Sequence, residues 1–172
     1  MQICEILSYF TYFTVPISAR VWGMWPVLQH VLLHWGVDFV EHIVVPLENF
    51  ISRDPATFLA SHAPNYRQGV WDMLEHCLTG DHDDMDVKFI AKLMDIVLLN
   101  CTGRVDEWVW PYLELATNKL ATVRNPSFAT LLMNTLPAAL VYNTQLALQA
   151  LEAHSKTQQV CFGSGGACSA GI

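Results

Sequence analysis

The sequence predicts an all-α protein, an α-solenoid of antiparallel helical hairpins. Three observations predict it. Apolar residues recur at intervals of three and four along most of the chain, with almost no alternation at two. The links between helical stretches are short, which makes sequence neighbours antiparallel in space. Many stretches are also broadly apolar, so each needs partners on more than one side.

The first helix is expected at about Gln2 to Phe13, closed by Pro16. The second begins after Ser18, a good N-cap, and runs to His34, with Gly36 as the stop. The third spans about Val37 to Ile51, and "SRDP" ends it because Pro55 disfavours helix at Asp54. A short turn follows at Ala56 to Ala60. The fourth runs from about Pro64, tolerated in a first turn, to Leu78, and Gly80 closes it. The acidic loop "GDHDDMD" leads to the fifth, about Met85 to Cys101, ended by Gly103. The sixth covers about Val105 to Ala121, the seventh Pro126 to Tyr142, and the eighth Asn143 or Thr144 to about His154.

Taken in pairs, these helices make four hairpins of roughly forty residues each, the spacing of HEAT/armadillo-like repeats. Residues 1–154 form that repeat domain. Pro26, Pro46, Pro111 and Pro137 fall inside apolar helical patterns and are expected to kink them. "VVPLENF" and "WPYLEL" share one such pattern, as related layers would. Residues 155–172, "SKTQQVCFGSGGACSAGI", lose the periodicity and are expected to be a disordered tail, non-native to the fold.

Composition narrows the function. Hydrophobic residues make up 52% and charged residues 15%, well below the roughly 25% charged of an average globule. Membrane insertion is not expected, because the most apolar stretch, Trp22 to Val45, carries His30, His34, Asp38, Glu41 and His42. No basic residue precedes the apolar N-terminus, as a secretory signal would require. The formal charge of -7, without a basic stripe, gives nucleic acid no footing and suits a basic protein partner. Cys4, Cys77, Cys101, Cys161 and Cys168 are odd in number and scattered, as reduced thiols are.

Each chemical motif falls short of its requirements. His30 and His34 share one helix face, but "HVLLH" lacks the Glu that a metalloprotease helix needs. A third ligand would have to come from a residue such as His42. "DHDDMDVKFIAK" places Asp86 and Lys92 where a calcium loop wants Gly and Glu. "GSGGACSAG" has neither the strand nor the Lys of a phosphate loop. No catalytic, cofactor or metal residue is assigned, no cofactor is expected, and the chain is not read as an enzyme. Trp22, Trp25, Trp35, Trp71, Trp108 and Trp110 are each expected in the core.

A family pattern runs through these same residues. "EILSYFTYFTVPISARVWGMWPVLQHVL" resembles a C-terminal stretch of the importin-β superfamily receptors, closest to the importin-seven and importin-eight branch. The pattern there is Glu-Ile-x-Ser, Val-Ser, Trp, then Pro four residues on. Glu5, Ile6, Ser8, Ile17, Ser18, Trp22 and Pro26 match it, with Ile for Val. "GVDF" and "PLENF" match the family's Gly-x-Asp-Tyr and Pro-Leu-x-Asn-Tyr, with Phe39 and Phe50 for Tyr. "LLNCTGRVDEWVWPYLELA" and "LPAALVYNTQLALQALE" resemble two later stretches, so the likeness covers residues 3 to 153.

The resemblance implies the C-terminal part of a larger nuclear transport receptor that binds cargo protein for Ran-dependent import. Nucleoporins and Ran are the partners expected for a full-length relative. Ran binding is not expected here, because that region lies in the N-terminal half of such receptors. The implied location is nucleus and cytoplasm, with shuttling through the nuclear envelope. A generic HEAT-repeat interaction scaffold is the alternative, and a helical zinc hydrolase using His30 and His34 is the third reading. If further layers belong at both ends, Leu7, Phe10 and Phe13 on the first helix are expected to be partly bare. Some of Leu146, Leu148 and Leu151 on the last helix should be bare too, and the chain should self-associate.

Overall fold

A computed structural model describes residues 2–14 and 16–163, with side chains to residue 153. Every element among them is helical. The α-helices are α1 (Gln2–Phe13), α2 (Ala19–Trp22), α3 (Trp25–His34), α4 (Val40–Arg53), α5 (Pro55–Ala60), α6 (Tyr66–Thr79), α7 (Asp84–Val87), α8 (Lys92–Asn100), α9 (Asp106–Leu120), α10 (Pro126–Tyr142) and α11 (Thr144–Gly163). Short 3-10 turns occupy Val37–Phe39 and Lys88–Ala91.

The longer helices form two rows. In the first row α1 packs on α4, α4 on α8 and α8 on α10. In the second, α3 packs on α6, α6 on α9 and α9 on α11. Contacts of α10 with both α9 and α11 join the rows at one end. This is the stacked-hairpin solenoid that the periodicity predicts, with a continuous apolar core between the layers.

The boundaries differ from the expected ones where local chemistry intervenes. The helix expected from Ser18 to His34 is two pieces. Ser18 accepts the Val21 N–H and starts α2, the chain turns at Gly23, and α3 restarts with Pro26 in its first turn. Pro26 is therefore no interior kink, because its missing N–H falls where no helical bond is due. Pro46, Pro111 and Pro137 do lie inside α4, α9 and α10. The helix expected from Met85 to Cys101 tightens to 3-10 geometry in its middle. Val87, Ile90 and Leu93 are all fully buried there, and the three-residue period of a 3-10 turn stacks them on one side.

At the far end, α11 passes the expected stop at His154 and continues to Gly163. Lys156, Gln158 and Gln159 are adequate helix formers, and Gly163 is the first breaker. The irregular tail expected from Ser155 therefore does not begin there. Residues 164–172 lie outside the described residues.

Side-chain bonds fix the layers. Asn49 on α4 donates to the Ser8 carbonyl (3.0 Å) and the buried Thr11 hydroxyl (3.2 Å) on α1. Trp22 donates its indole N–H to Asp54, whose other oxygen accepts the Thr57 N–H at the start of α5. Around that bond Trp22, Trp25, Phe50 and Tyr66 pack ring on ring, with centroids 4.6 to 5.8 Å apart. Gly103, at φ 70°, turns the chain between α8 and α9 where a side chain would be strained.

Tyr142, at the end of α10, accepts the Val105 N–H (3.0 Å) and donates to Asp106. It thereby caps the start of α9 from the next layer. Tyr142→Phe would strand the Val105 N–H, a buried donor. The expected cost is about 1–2 kcal/mol in denaturant unfolding, whereas Thr14→Ala on the exposed link after α1 should change stability by less than about 0.5 kcal/mol.

Candidate functional site

The second row carries the most structured surface. Asn65 caps α6 by accepting the Gln68 N–H at 3.1 Å, and this sets the first turns of α6 against those of α9. Trp71 and Trp108 meet there edge to face, with centroids 5.5 Å apart. The buried Tyr112 lies nearly parallel to Trp71 at 6.3 Å. Trp71 and Trp108, with Asn65, Arg67, Gln68, Glu107 and Pro111, line an open cleft of about 440 Å³, and Tyr112 lies beneath it. Arg67 and Glu107 pair across the rim at 3.3 Å. The Glu107 side chain is 60% exposed, so this pair contributes little.

The cleft is suited to binding. Half-exposed indoles offer flat apolar surface with electron-rich faces, and Glu107 adds an exposed carboxylate. It contains no nucleophile aligned with a base. An unbranched apolar or cationic side chain matches that lining. Sequence reading places both tryptophans in the core, yet they are only partly buried. Trp35 departs further: it is 80% exposed, and only Trp22 and Trp25 are fully in the core. The one trace of the cleft in the sequence is that "YRQGVW" and "DEWVWP" each open a helix with a charge and a tryptophan together.

A second, polar hollow of about 850 Å³ lies between the loop 78–85 and the α9–α10 link. Asp84 organises it, accepting the backbone N–H groups of Arg124 (2.8 Å) and Asn125 (3.2 Å) and facing Lys119 at 3.5 Å. Burial pushes the Asp84 carboxyl up, but these donors and Lys119 outweigh it and hold the group below its ordinary value. The acidic loop thus staples two layers together. Asp83 is occupied likewise, accepting the Met85 N–H.

His30 and His34 do lie together, their rings stacked at 4.2 Å. His34 Nδ1 sits 2.9 Å from the His30 carbonyl. His42 does not join them: it faces α1, beside Glu5 and Tyr9. His76 and His82 form a second pair of imidazoles, with centroids 5.0 Å apart. Burial, then His82 and His34, hold His76 below its usual range. Among the described residues no three His, Cys, Asp or Glu side chains converge as a metal site requires.

On the first row, α4 and α8 bring Glu48 and Asp95 near each other. Burial pushes Asp95 up to about 6, Glu48 adds repulsion, and the Thr135 hydroxyl counters. That hydroxyl and Asp95 Oδ1 are both buried and outside hydrogen-bonding geometry. Glu48 is raised as well by burial, against the pull of Lys92. Burial lifts the Cys77 thiol to about 12 and Cys101 to about 11, so both stay protonated and unreactive. No helix among the described residues is long and apolar enough to cross a membrane.

Comparison with known proteins bears on the whole surface. The chain is 38% identical over 152 residues to the importin beta-like SAD2 homolog of Arabidopsis thaliana, covering 88% of this chain and 15% of that protein. It is 26% identical over 166 residues to a probable importin-7 homolog of Dictyostelium discoideum, with 92% and 15% covered. It is 28% identical over 138 residues to importin-8 of Danio rerio, with 79% and 13% covered. The chain thus spans 13 to 15% of the length of these relatives. No family model matches the chain, and no solved structure matches it.

Asp95 provides a pH signature. Its folded-state value of about 6 lies above the ordinary 3.8, so the unfolded chain loses this proton first as pH rises. The group therefore destabilises the fold progressively from about pH 4 to pH 6 and fully above that. Asp95→Asn should raise stability at pH 7 by about 1–2 kcal/mol, allowing for the solvent that still reaches the group. The gain should vanish near pH 4, as urea unfolding of both proteins across that range would show.

Proposed function

The chain belongs to the importin-β superfamily, and from that premise we propose that it supplies one stretch of the cargo-binding surface of a nuclear transport receptor. The observation that carries the reading is the 38% identity over 88% of the chain to an importin beta-like protein. The physical setting supports it. A stack of helices presents a long surface with a defined cleft, as a carrier needs. The receptor exchanges between cytoplasm and nucleus and makes no covalent bond, so neither catalyst nor cofactor is called for. Nucleoporins and Ran are the partners proposed for the longer receptor, with Ran binding placed outside this stretch.

The contact site proposed is the Trp71–Trp108 cleft with Glu107 at its rim. A formal charge of -7 attracts basic segments of cargo at long range, and the indole faces hold a Lys or Arg side chain at short range. Arg67 gives up its exposed pairing with Glu107 at small cost when such a side chain arrives.

Calorimetric titration with a Lys/Arg-rich peptide tests this. Binding should weaken with salt, and Trp71→Ala with Trp108→Ala should lower affinity at least about tenfold, or about 1.4 kcal/mol. Glu107→Gln should lower it by about threefold. Equal affinity in the tryptophan variant would remove the cleft from the reading. Tight binding of GTP-loaded Ran to this chain alone would overturn the division of labour proposed.

A further inference from the structure

The lining of the Trp71–Trp108 cleft discriminates between cations. The two indole planes meet at 63° with centroids 5.5 Å apart, so they are two walls of a corner and not a closed stack. Tyr112 lies beneath, 5.6 Å from Trp108 and 6.3 Å from Trp71. Pro111 adds a further apolar wall. Both indoles are only partly buried, which leaves ring surface open to a ligand. A charge seated in such a corner lies within about 6 Å of both centroids, the reach of a cation–π contact.

The polar groups around the corner are already engaged. Asn65 accepts the Gln68 N–H at 3.1 Å, and Gln68 donates its side-chain amide to Asp72 at 2.8 Å. Asp72 also receives the Gln29 amide at 3.4 Å. Glu107, the carboxylate that lines the cleft, pairs with Arg67 at 3.3 Å. The Arg67 side chain is 27% exposed and its Nε is buried, so the guanidinium reaches Glu107 from a packed stem. The pair is neutral as a unit, which leaves the indole surface to attract a cation at short range.

This arrangement separates two forms of lysine. An unmodified ammonium is a compact, strongly hydrated charge with three N–H donors. It obtains Glu107 only by taking it from Arg67, which exchanges one cation for another and adds little net. Its remaining donors lose water against the ring faces. A trimethylated ammonium keeps the charge but has no N–H to satisfy. Its charge is spread over methyl groups that bury against the indoles, and the Arg67–Glu107 pair stays in place.

We propose that the cleft reads trimethyl-lysine, holding the quaternary ammonium in the Trp71–Trp108 corner while Arg67 keeps the rim carboxylate from unmodified lysine. This preference rests on the cleft being a cargo contact, as proposed above, and names the form of side chain that the contact selects.

Titration calorimetry with one peptide in three forms tests it. The peptide carries a single lysine, which is unmodified, trimethylated, or replaced by its neutral isostere with a tert-butyl group for the trimethylammonium. The trimethylated form should bind the full chain at least about tenfold more tightly than either of the others. Arg67→Gln frees Glu107 and should bring the unmodified peptide to within about threefold of the trimethylated one. Trp71→Ala should remove the preference, and a preference that survives it overturns the assignment to this corner. The comparison of peptides uses the unsubstituted chain, so it decides the matter even where a variant fails to fold. Equal affinity for the unmodified and trimethylated forms overturns the proposal. If a Lys/Arg-rich peptide still binds in that case, the cargo reading of the cleft stands without it; if none binds, both fall. Equal affinity for the tert-butyl form also overturns it, since the cleft then reads shape without charge. Phosphatidylcholine vesicles present the same quaternary ammonium, and binding to them in preference to the trimethylated peptide would assign the corner to a lipid headgroup instead.

Discussion

The stability of this molecule depends on first-row helices having neighbours on both flanks. α4 shows the requirement most clearly. Val40, Ile43, Val44, Leu47, Phe50 and Ile51 are all essentially without solvent contact, and they spread around too much of the helix for one partner to cover. α1, α8 and the short helices around it supply the cover together. A helix of this kind has no stable position alone, so the stack is the smallest unit that buries it. The low fraction of charged residues is the compositional trace of that need.

Polar groups are then placed to fix the register that apolar burial leaves loose. Asn49 fixes α1 on α4, Tyr142 fixes the start of α9 from α10, and Asp84 ties the acidic loop to the link before α10. Each joins residues far apart in sequence through a backbone group, and the N–H groups of Val105, Arg124 and Asn125 gain an acceptor in this way. Asp95 is the exception. It is a largely buried carboxylate beside Glu48 and Thr135 with one oxygen outside hydrogen-bonding geometry, and burial holds its pKa up.

Helix identity and pairing were legible in the sequence because they follow from periodicity and link length. Three-and-four spacing located all the long helices, and taking them in pairs anticipated the two rows. What was not legible is what depends on a neighbour from another layer. Trp71 and Trp108 look like core residues because size and apolarity say so, yet their exposure is decided by how α6 and α9 cross, and Trp35 is left at the exposed end of α3. Leu7 was assigned to the wrong face by one residue, which on a helix is about a quarter turn. The pairing of His30 with His34 was legible from a spacing of one turn, whereas the approach of His76 and His82 depends on how the chain folds back after α6 at Gly80. The cleft itself has no linear signature beyond a charge and a tryptophan at two helix starts.

Pro111 has an effect beyond the bend in α9. Without an N–H, it leaves the Glu107 carbonyl lacking the donor that a regular helix would supply one turn on. Glu107 and Pro111 both line the tryptophan cleft. The main chain of α9 is therefore relaxed at the point where it borders the cleft, and the course of that wall is set by the helix and not by any side chain. Substitutions of the Glu107 side chain alter the charge of the rim but leave this bend in place.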